Sequence, residues 1–147
     1  MEFITKNFEE TQQLASRLLD QITILPHSGA LVLALKGELG AGKTTFIQGL
    51  GKVLGIKDKI LSPTFVIQRR FTIHDLRFKN FENLYHLDCY RLNNEKDLRE
   101  LGFEEILKDK NNLVVIEWPE RIKKALPADT MWLEFEHGGE DIRKIKM

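Results

Sequence analysis

The sequence contains Gly37-Glu38-Leu39-Gly40-Ala41-Gly42-Lys43-Thr44, which matches at every required position the pattern of a glycine, any four residues and then Gly-Lys-Thr or Gly-Lys-Ser. This pattern is typical of a loop that wraps the phosphates of a nucleotide. Glycines are favoured there because the backbone N–H groups must approach the phosphates without a Cβ atom in the way. In such loops the lysine reaches the β- and γ-phosphates and the threonine hydroxyl is a ligand of Mg²⁺. The stretch therefore predicts a nucleotide site.

The residues on either side of the loop support this interpretation. Ala30 to Leu35 form a continuous apolar run, which is typical of a strand buried on both faces. Thr45 to Leu54 place their apolar side chains at helical spacing, and Gly55 follows as a stop signal. A strand, a glycine-rich loop and a helix form the setting in which this motif binds phosphate.

Composition and length bound the class of protein. The chain has 147 residues, so we predict a single domain over residues 1–147. Its 22 Lys and Arg balance its 22 Asp and Glu, which argues against binding nucleic acid or an anionic membrane through overall charge. Cys89 is the lone cysteine, so an intrachain disulfide is excluded and a reducing compartment is favoured. No stretch resembles a signal peptide or a membrane span, so we expect a soluble, cytoplasmic protein.

The remaining patterns indicate an α/β domain. Met1 to Thr5 could be a short strand, and Asn7 resembles the N-cap of a helix that follows. Met131 to Glu136 alternate, and after a Gly-Gly turn Ile142 to Met147 run back as a second strand. We therefore predict a P-loop NTPase-like fold with a central, mostly parallel sheet, flanking helices and a C-terminal antiparallel hairpin at one edge. Lys144 and Lys146 would suit an exposed edge strand.

Two further strands each end in a carboxylate. Asn83 to Asp88 and Leu113 to Trp118 read as strands, with Asp88 and Glu117 at or near their carboxyl ends. Ligands of open α/β sheets bind beyond the carboxyl ends of the strands, so both acids could face the metal held by Thr44. The alternative for either acid is a solvated loop position.

The segment Ser62-Pro63-Thr64 lies within residues 60–67, which we predict to be a kinked entry into another strand. Pro63 fixes φ and removes a donor, so this corner is held in one shape. It is either a simple turn or a switch segment that offers Ser62 or Thr64 to the γ-phosphate. The sequence does not decide between the two.

A phosphate loop does not define a reaction. Guanine recognition is disfavoured because Asn94-Glu95-Lys96-Asp97 has the wrong order for an Asn-Lys-x-Asp motif. A small-molecule kinase would need an Arg-rich lid near the C-terminus, and the segment 121–124 is short and rich in lysine. Besides an ATPase, two other functions stay open at this point, a small-molecule kinase and a nucleotide-gated interaction module.

Four motifs in order resemble one family: Gly37 to Thr45, Ser62 to Phe65, His86 to Leu92 and Ile116 to Glu120. Together they resemble the bacterial TsaE (YjeE) family, the small P-loop ATPases of tRNA threonylcarbamoyladenosine biosynthesis, and the resemblance extends in order over nearly the whole chain. The resemblance implies an ATPase with low activity by itself that uses ATP and Mg²⁺. It also implies the partners TsaD and TsaB, in a TsaB–TsaD–TsaE complex that modifies adenosine 37 of ANN-decoding tRNAs. The neutral charge predicts weak or absent direct contact with tRNA.

The resemblance also implies roles for single residues. Thr44 and Glu117 hold Mg²⁺, and Lys43, Asp88 and Glu117 form the catalytic group. The residues expected to bind ATP are Thr11, Glu38, Leu39, Gly40, Ala41, Gly42, Lys43, Thr44, Thr45, Thr64 and Trp118. Two features depart from the family pattern: Cys89 stands where an aliphatic residue is usual, and the segment from Gln68 to Asn83 is long. We expect Cys89 to be a conservative core change.

Overall fold

The computed structural model describes residues 1–61 and 67–147, and the strands within them form one seven-stranded sheet. In chain order the strands are β1 Glu2–Thr5, β2 Leu31–Gly37, β3 Gln68–Thr72, β4 Asn83–Asp88, β5 Asn112–Glu117, β6 Met131–His137 and β7 Arg143–Lys146. Their order across the sheet is β1-β7-β6-β2-β5-β4-β3, so β2 lies in the middle. The strand β2 runs parallel to β5 and β6, and β5 runs parallel to β4. The predicted α/β fold with a parallel central sheet is confirmed.

Helices cover this sheet. The α-helices are α1 Phe8–Ile22, α2 Lys43–Val53 and α3 Phe103–Lys108, and short 3-10 helices span Leu76–Phe78, Glu95–Leu101 and Pro119–Ala125. The predicted cap of α1 is confirmed, since the Asn7 side chain accepts a 2.8 Å hydrogen bond from the Glu10 backbone N–H. Gly102 lies in the left-handed region between the 3-10 helix Glu95–Leu101 and α3. Within the described residues, no helix combines the length and apolar character that crossing a membrane requires.

The two faces of the sheet carry separate hydrophobic cores. On one face α1 and α2 pack with Leu33 and Leu35 of β2. On the other face Val32 of the same strand packs in a cluster that includes Leu98 and Ile122. Because successive side chains of a strand point to opposite faces, burial on both sides requires an unbroken apolar run. This explains why the sequence of β2 shows no alternation.

The C-terminal hairpin lies on the predicted side of the sheet, but it does not form the edge itself. The strand β1 pairs antiparallel with the outer side of β7. Lys144 and Lys146 therefore lie on a strand with two neighbours, where Lys144 pairs with Glu2 at 3.5 Å and Lys146 with Glu136 at 2.9 Å. The expectation that these lysines protect an exposed edge was wrong, because the N-terminal strand satisfies the backbone groups that β7 would otherwise leave open.

The opposite side of the sheet ends in an antiparallel hairpin formed by β3 and β4. The described strand that follows the predicted entry at residues 60–67 is β3, which begins at Gln68. Residues 62–66 lie outside the described part of the chain, so the interpretation of Ser62-Pro63-Thr64 as a turn or a switch stays a prediction. The carboxyl ends of β2, β5 and β4 lie side by side, and α2 begins there. This edge of the parallel sheet is where the candidate site forms.

Candidate nucleotide-binding site

The loop between β2 and α2 has the backbone that its glycines allow. Gly42 adopts φ 103° and ψ 8° immediately before the first residue of α2, a conformation that side chains strongly disfavour. Gly37 lies against β6, where an added Cβ would be 2.6 Å from the backbone oxygen of Phe135. The loop thus joins a buried strand to a helix N-terminus, whose unpaired N–H groups favour anions.

Lys43 is a buried cation, with 4% of its surface exposed. Its ammonium group donates a hydrogen bond to the backbone oxygen of Gly37 and lies 4.1 Å from the centroid of the Trp118 ring. Burial lowers the pKa of Lys43, and nearby carboxylates partly offset this effect: Glu117, Glu120, Asp88 and Glu38. A cation that burial destabilises in this way gains from an incoming phosphate.

Thr44 and Glu117 come together although they are 73 residues apart in sequence. The Thr44 hydroxyl donates to Oε1 of Glu117 at 3.5 Å, a long hydrogen bond. Thr44 is in the first turn of α2, and Glu117 is the last residue of β5 with 3% of its surface exposed. A hydroxyl and a carboxylate oxygen are the hard ligands that Mg²⁺ prefers. The pair therefore fits the metal site that the sequence predicts.

Asp88 lies beside this pair. It is the last residue of β4 and the direct register partner of Glu117 on β5. It is 4% exposed, and its Oδ1 accepts a 3.0 Å hydrogen bond from the Tyr90 backbone N–H. The structure thus places the two strand-end acids next to each other, at the start of α2.

These groups line one cavity of about 580 Å³. Its volume is within the range of small-molecule sites. The lining residues are Glu38, Leu39, Gly40, Gly42, Lys43, Thr44, Thr45, Asp88, Tyr90, Glu117 and Trp118. Nearly all the residues expected to bind nucleotide or metal are therefore gathered in one place.

Two described residues of the expected set do not line the cavity. Thr11 lies on α1, 2% exposed, with its hydroxyl 2.7 Å from that of Thr5. Ala41, within the loop, is completely buried. Thr64 lies outside the described residues, so its expected contact with nucleotide stays a prediction.

His86 is a site residue that the sequence interpretation missed. It lies on β4 with its side chain fully buried, and its Nε2 is 2.8 Å from Oε2 of Glu117. The alternation of side chains along a strand was the signal that could have placed His86 at the site. His86 precedes Asp88 by two residues, so both side chains point to the same face of β4.

The C-terminal hairpin supports the outer side of the loop. The aliphatic part of Arg143 lies so close to Gly42 that an added Cβ would approach it to 3.2 Å. The Arg143 guanidinium donates to the backbone oxygens of Glu140 and Ile142, at 2.7 and 2.9 Å. Arg143 and Gly42 are far apart in the sequence, and no local pattern predicts their contact.

The central parallel strand, the glycine loop at its carboxyl end and the helix that starts with Lys43 and Thr44 define a P-loop NTPase-like domain. A family model described as "Threonylcarbamoyl adenosine biosynthesis protein TsaE" matches residues 5–145. The chain belongs to the TsaE family.

Proteins from distant bacteria show the same relationship. Three relatives carry the name tRNA threonylcarbamoyladenosine biosynthesis protein TsaE. The one from Bacillus subtilis is 34% identical over 96% of this chain and 80% of its own length. Those from Rickettsia felis and a Nostoc species are 41% and 40% identical, over 90% and 95% of this chain and 71% and 80% of their own lengths. A solved structure described as Bacillus subtilus YdiB is 30% identical, with a TM-score of 0.72, and the match covers 99% of this chain and 82% of that one.

Proposed function

We propose that this protein is a Mg²⁺-dependent ATPase that acts with TsaD and TsaB in the threonylcarbamoylation of adenosine 37 in ANN-decoding tRNAs. The observation that carries the proposal is the convergence of Lys43 and Thr44 with Glu117 and Asp88 in one cavity. Family membership supports the pathway, because the relatives are named as threonylcarbamoyladenosine biosynthesis proteins.

Nucleotide binding would begin with an exchange of partners at Lys43. In the structure its ammonium group is held by the Gly37 carbonyl and the Trp118 ring. Both partners are neutral, whereas a phosphate carries the opposite charge and is therefore a stronger partner for the ammonium group. The triphosphate would also accept hydrogen bonds from backbone N–H groups of the loop and of the first turn of α2. The nucleotide would thus satisfy groups that the fold already concentrates there.

Mg²⁺ would be held by Thr44 and Glu117, with Asp88 supporting the site. Within residues 1–61 and 67–147, no three His, Cys, Asp or Glu side chains form a metal cluster. This fits Mg²⁺, which is usually bound through one or two protein ligands together with phosphates and water. When bound, the ion would neutralise charge on the phosphates. Glu117 and Asp88 are both nearly buried, which keeps their carboxylates fixed near the first turn of α2.

Dependence on a partner would follow from the charges in the cavity. Among the described residues that line it, Lys43 is the one cationic side chain. Phosphoryl transfer depends largely on positioning and on charge stabilisation, and a further cation can accelerate it by several orders of magnitude. A site with one lysine would be slow until a partner completes or reshapes it. We propose the TsaD–TsaB complex as that partner.

The test is release of inorganic phosphate from ATP with and without purified TsaD and TsaB. We expect slow release alone, faster release with both partners, and no release in Lys43→Ala. Lys52→Ala is the matched control, because Lys52 is on the same helix but bonds to Gln12 at 2.7 Å, away from the cavity. Activity retained in Lys43→Ala would exclude the site.

Two further measurements, phosphate transfer to added acceptors and partner binding with ATP or ADP, separate the two alternative functions. Phosphate that passes to an added small molecule and not to water would identify a kinase. Partner binding that changes between ATP and ADP while hydrolysis stays negligible with TsaD and TsaB would identify a nucleotide-gated interaction module. Either result would replace the ATPase proposal.

A further inference from the structure

The two oxygens of the Glu117 carboxylate have different neighbours. Oε1 faces the Thr44 hydroxyl at 3.5 Å, beside the cavity. Oε2 lies 2.8 Å from Nε2 of His86, whose side chain is fully buried in the sheet. The short contact is therefore on the interior side of the carboxylate, and the long one is on the side where a metal would enter.

The chemistry of this contact fixes the state of the imidazole ring. A carboxylate oxygen accepts hydrogen bonds, so Nε2–H of His86 must be the donor. In the neutral ring Nδ1 is then an acceptor, and among residues 1–61 and 67–147 it has no hydrogen-bond partner although it is buried. A buried acceptor without a partner destabilises the folded state. An apolar residue would avoid this penalty, so the useful part of the ring is its Nε2–H.

We propose that His86 is a positioning residue that orients Glu117 for Mg²⁺. Its N–H holds Oε2, which keeps Oε1 turned toward Thr44, the other expected ligand of Mg²⁺. The strand register supports this role, because His86 lies two residues before Asp88, the register partner of Glu117. The inference rests on the proposed function, since it takes Glu117 to be a ligand of Mg²⁺.

The test measures how much Mg²⁺ is needed for tight binding of a non-hydrolysable ATP analogue, by calorimetry at a series of Mg²⁺ concentrations. Partners that orient metal ligands typically change metal affinity by roughly 10- to 100-fold when they are removed. We expect His86→Phe, which keeps a ring but loses the N–H, to need roughly 10 to 100 times more Mg²⁺ than wild type for tight binding. His86→Gln can place an amide N–H near the same point, so it should stay within a few-fold of wild type. Binding of the analogue without Mg²⁺ should be the same in all three proteins.

A structural control separates orientation from general stability. Asn112 is buried on the same strand as Glu117, at its opposite end, and donates a 3.0 Å hydrogen bond to the Ile106 carbonyl. Asn112→Ala should lower the unfolding temperature and leave the Mg²⁺ requirement unchanged. An equal shift in His86→Phe and His86→Gln would overturn the proposal, because it would show that the N–H is not what matters.

The remaining outcomes distinguish this inference from the proposed function. If Glu117→Gln binds the analogue with the Mg²⁺ requirement of wild type, Glu117 is not a ligand and the proposed metal site fails. If Glu117→Gln needs more Mg²⁺ than wild type while His86→Phe does not, the role of His86 alone is excluded. Should His86→Phe not fold, the ¹⁵N shifts of the wild-type imidazole decide. A proton on Nε2 supports the proposal, and a neutral ring with its proton on Nδ1 overturns it.

Discussion

The ammonium group of Lys43 lies 4.1 Å from the centroid of the Trp118 ring, at the point where β5 ends and a 3-10 helix begins. Trp118 has a left-handed backbone, with φ 57° and ψ 49°. For residues other than glycine this conformation is unfavourable by roughly 1 to 2 kcal/mol. Strained residues are often found at functional sites, where the surrounding structure holds them in place. Here the strain places an indole ring over the lysine of the phosphate loop.

Replacing Lys43 should separate binding from stability. We expect Lys43→Met to lose ATP binding and yet to be at least as stable as wild type near neutral pH. The reason is that burial lowers the pKa of this lysine from 10.5, so the fold disfavours its charged form. The stability linked to this shift is present above pH 10.5 and is lost as the pH falls through the lower folded-state pKa.

The measurement is urea unfolding of both proteins from neutral pH to above pH 10.5. Any advantage of Lys43→Met should shrink as the pH rises. An advantage that grows with pH would contradict the sign of the shift.

Cys89 should make the protein less stable at alkaline pH. Burial raises the pKa of this thiol from 9.0 to about 12, with smaller contributions from Asp88 and Glu120. Between those values the unfolded chain releases the proton and the folded chain keeps it. The free energy of unfolding should therefore fall with rising pH by up to about 1.4 kcal/mol per pH unit.

Cys89→Val lacks this thiol and is the reference for unfolding experiments at increasing pH, since its other titrating groups are the same. The stability of wild type should fall relative to this variant above pH 9.0. Parallel curves for the two proteins would show that the thiol is not protected by the fold. Cys89 is fully buried in the same hydrophobic cluster as Val32, as expected for a conservative core change.

The contact between α1 and α2 should depend on Gly49. A Cβ there would lie 2.7 Å from the backbone Cα and O atoms of Gln12 on α1. Alanine favours helix over glycine by about 1 kcal/mol. Even so, Gly49→Ala should destabilise the protein by roughly 1 to 3 kcal/mol, because the two helices must move apart.

Gly51→Ala on the same helix is the matched control. Its added Cβ would meet Cδ1 of Ile60, the far end of a flexible side chain that can rotate away. Thermal unfolding should therefore show a smaller effect than for Gly49→Ala. Equal effects from both variants would mean that the close helix approach is not the cause.

Local patterns predicted the parts of this fold that local chemistry controls. The apolar run of β2, the glycine loop and the start of α2 all follow from residues within a short stretch. The approach of Asp88 to Glu117 followed from a general rule, since both acids close parallel strands at the same edge. These features required no knowledge of how distant segments pair.

Pairing between distant segments explains what the sequence did not show. The place of β1 outside β7 depends on a register that joins Glu2 to Lys146, the two ends of the chain. The role of His86 likewise depends on β4 lying beside β5 with a particular register. A single histidine in an apolar strand carries no sign of such a partner. The environment of Thr11 also depends on tertiary packing, which places its hydroxyl beside Thr5.

Trp118 should report nucleotide binding through its fluorescence. The chain has two tryptophans, so Trp132→Phe leaves Trp118 as the single tryptophan. When Lys43 moves from the indole ring to a phosphate, the ring loses a cation at close range, an interaction worth about 0.5 to 2 kcal/mol. We expect emission from Trp118 to change on addition of a non-hydrolysable ATP analogue with Mg²⁺.

The change should be absent when Lys43→Met is added to the same background. If calorimetry shows binding while the emission stays constant, Lys43 does not leave the ring, and the exchange of partners proposed for nucleotide binding is excluded.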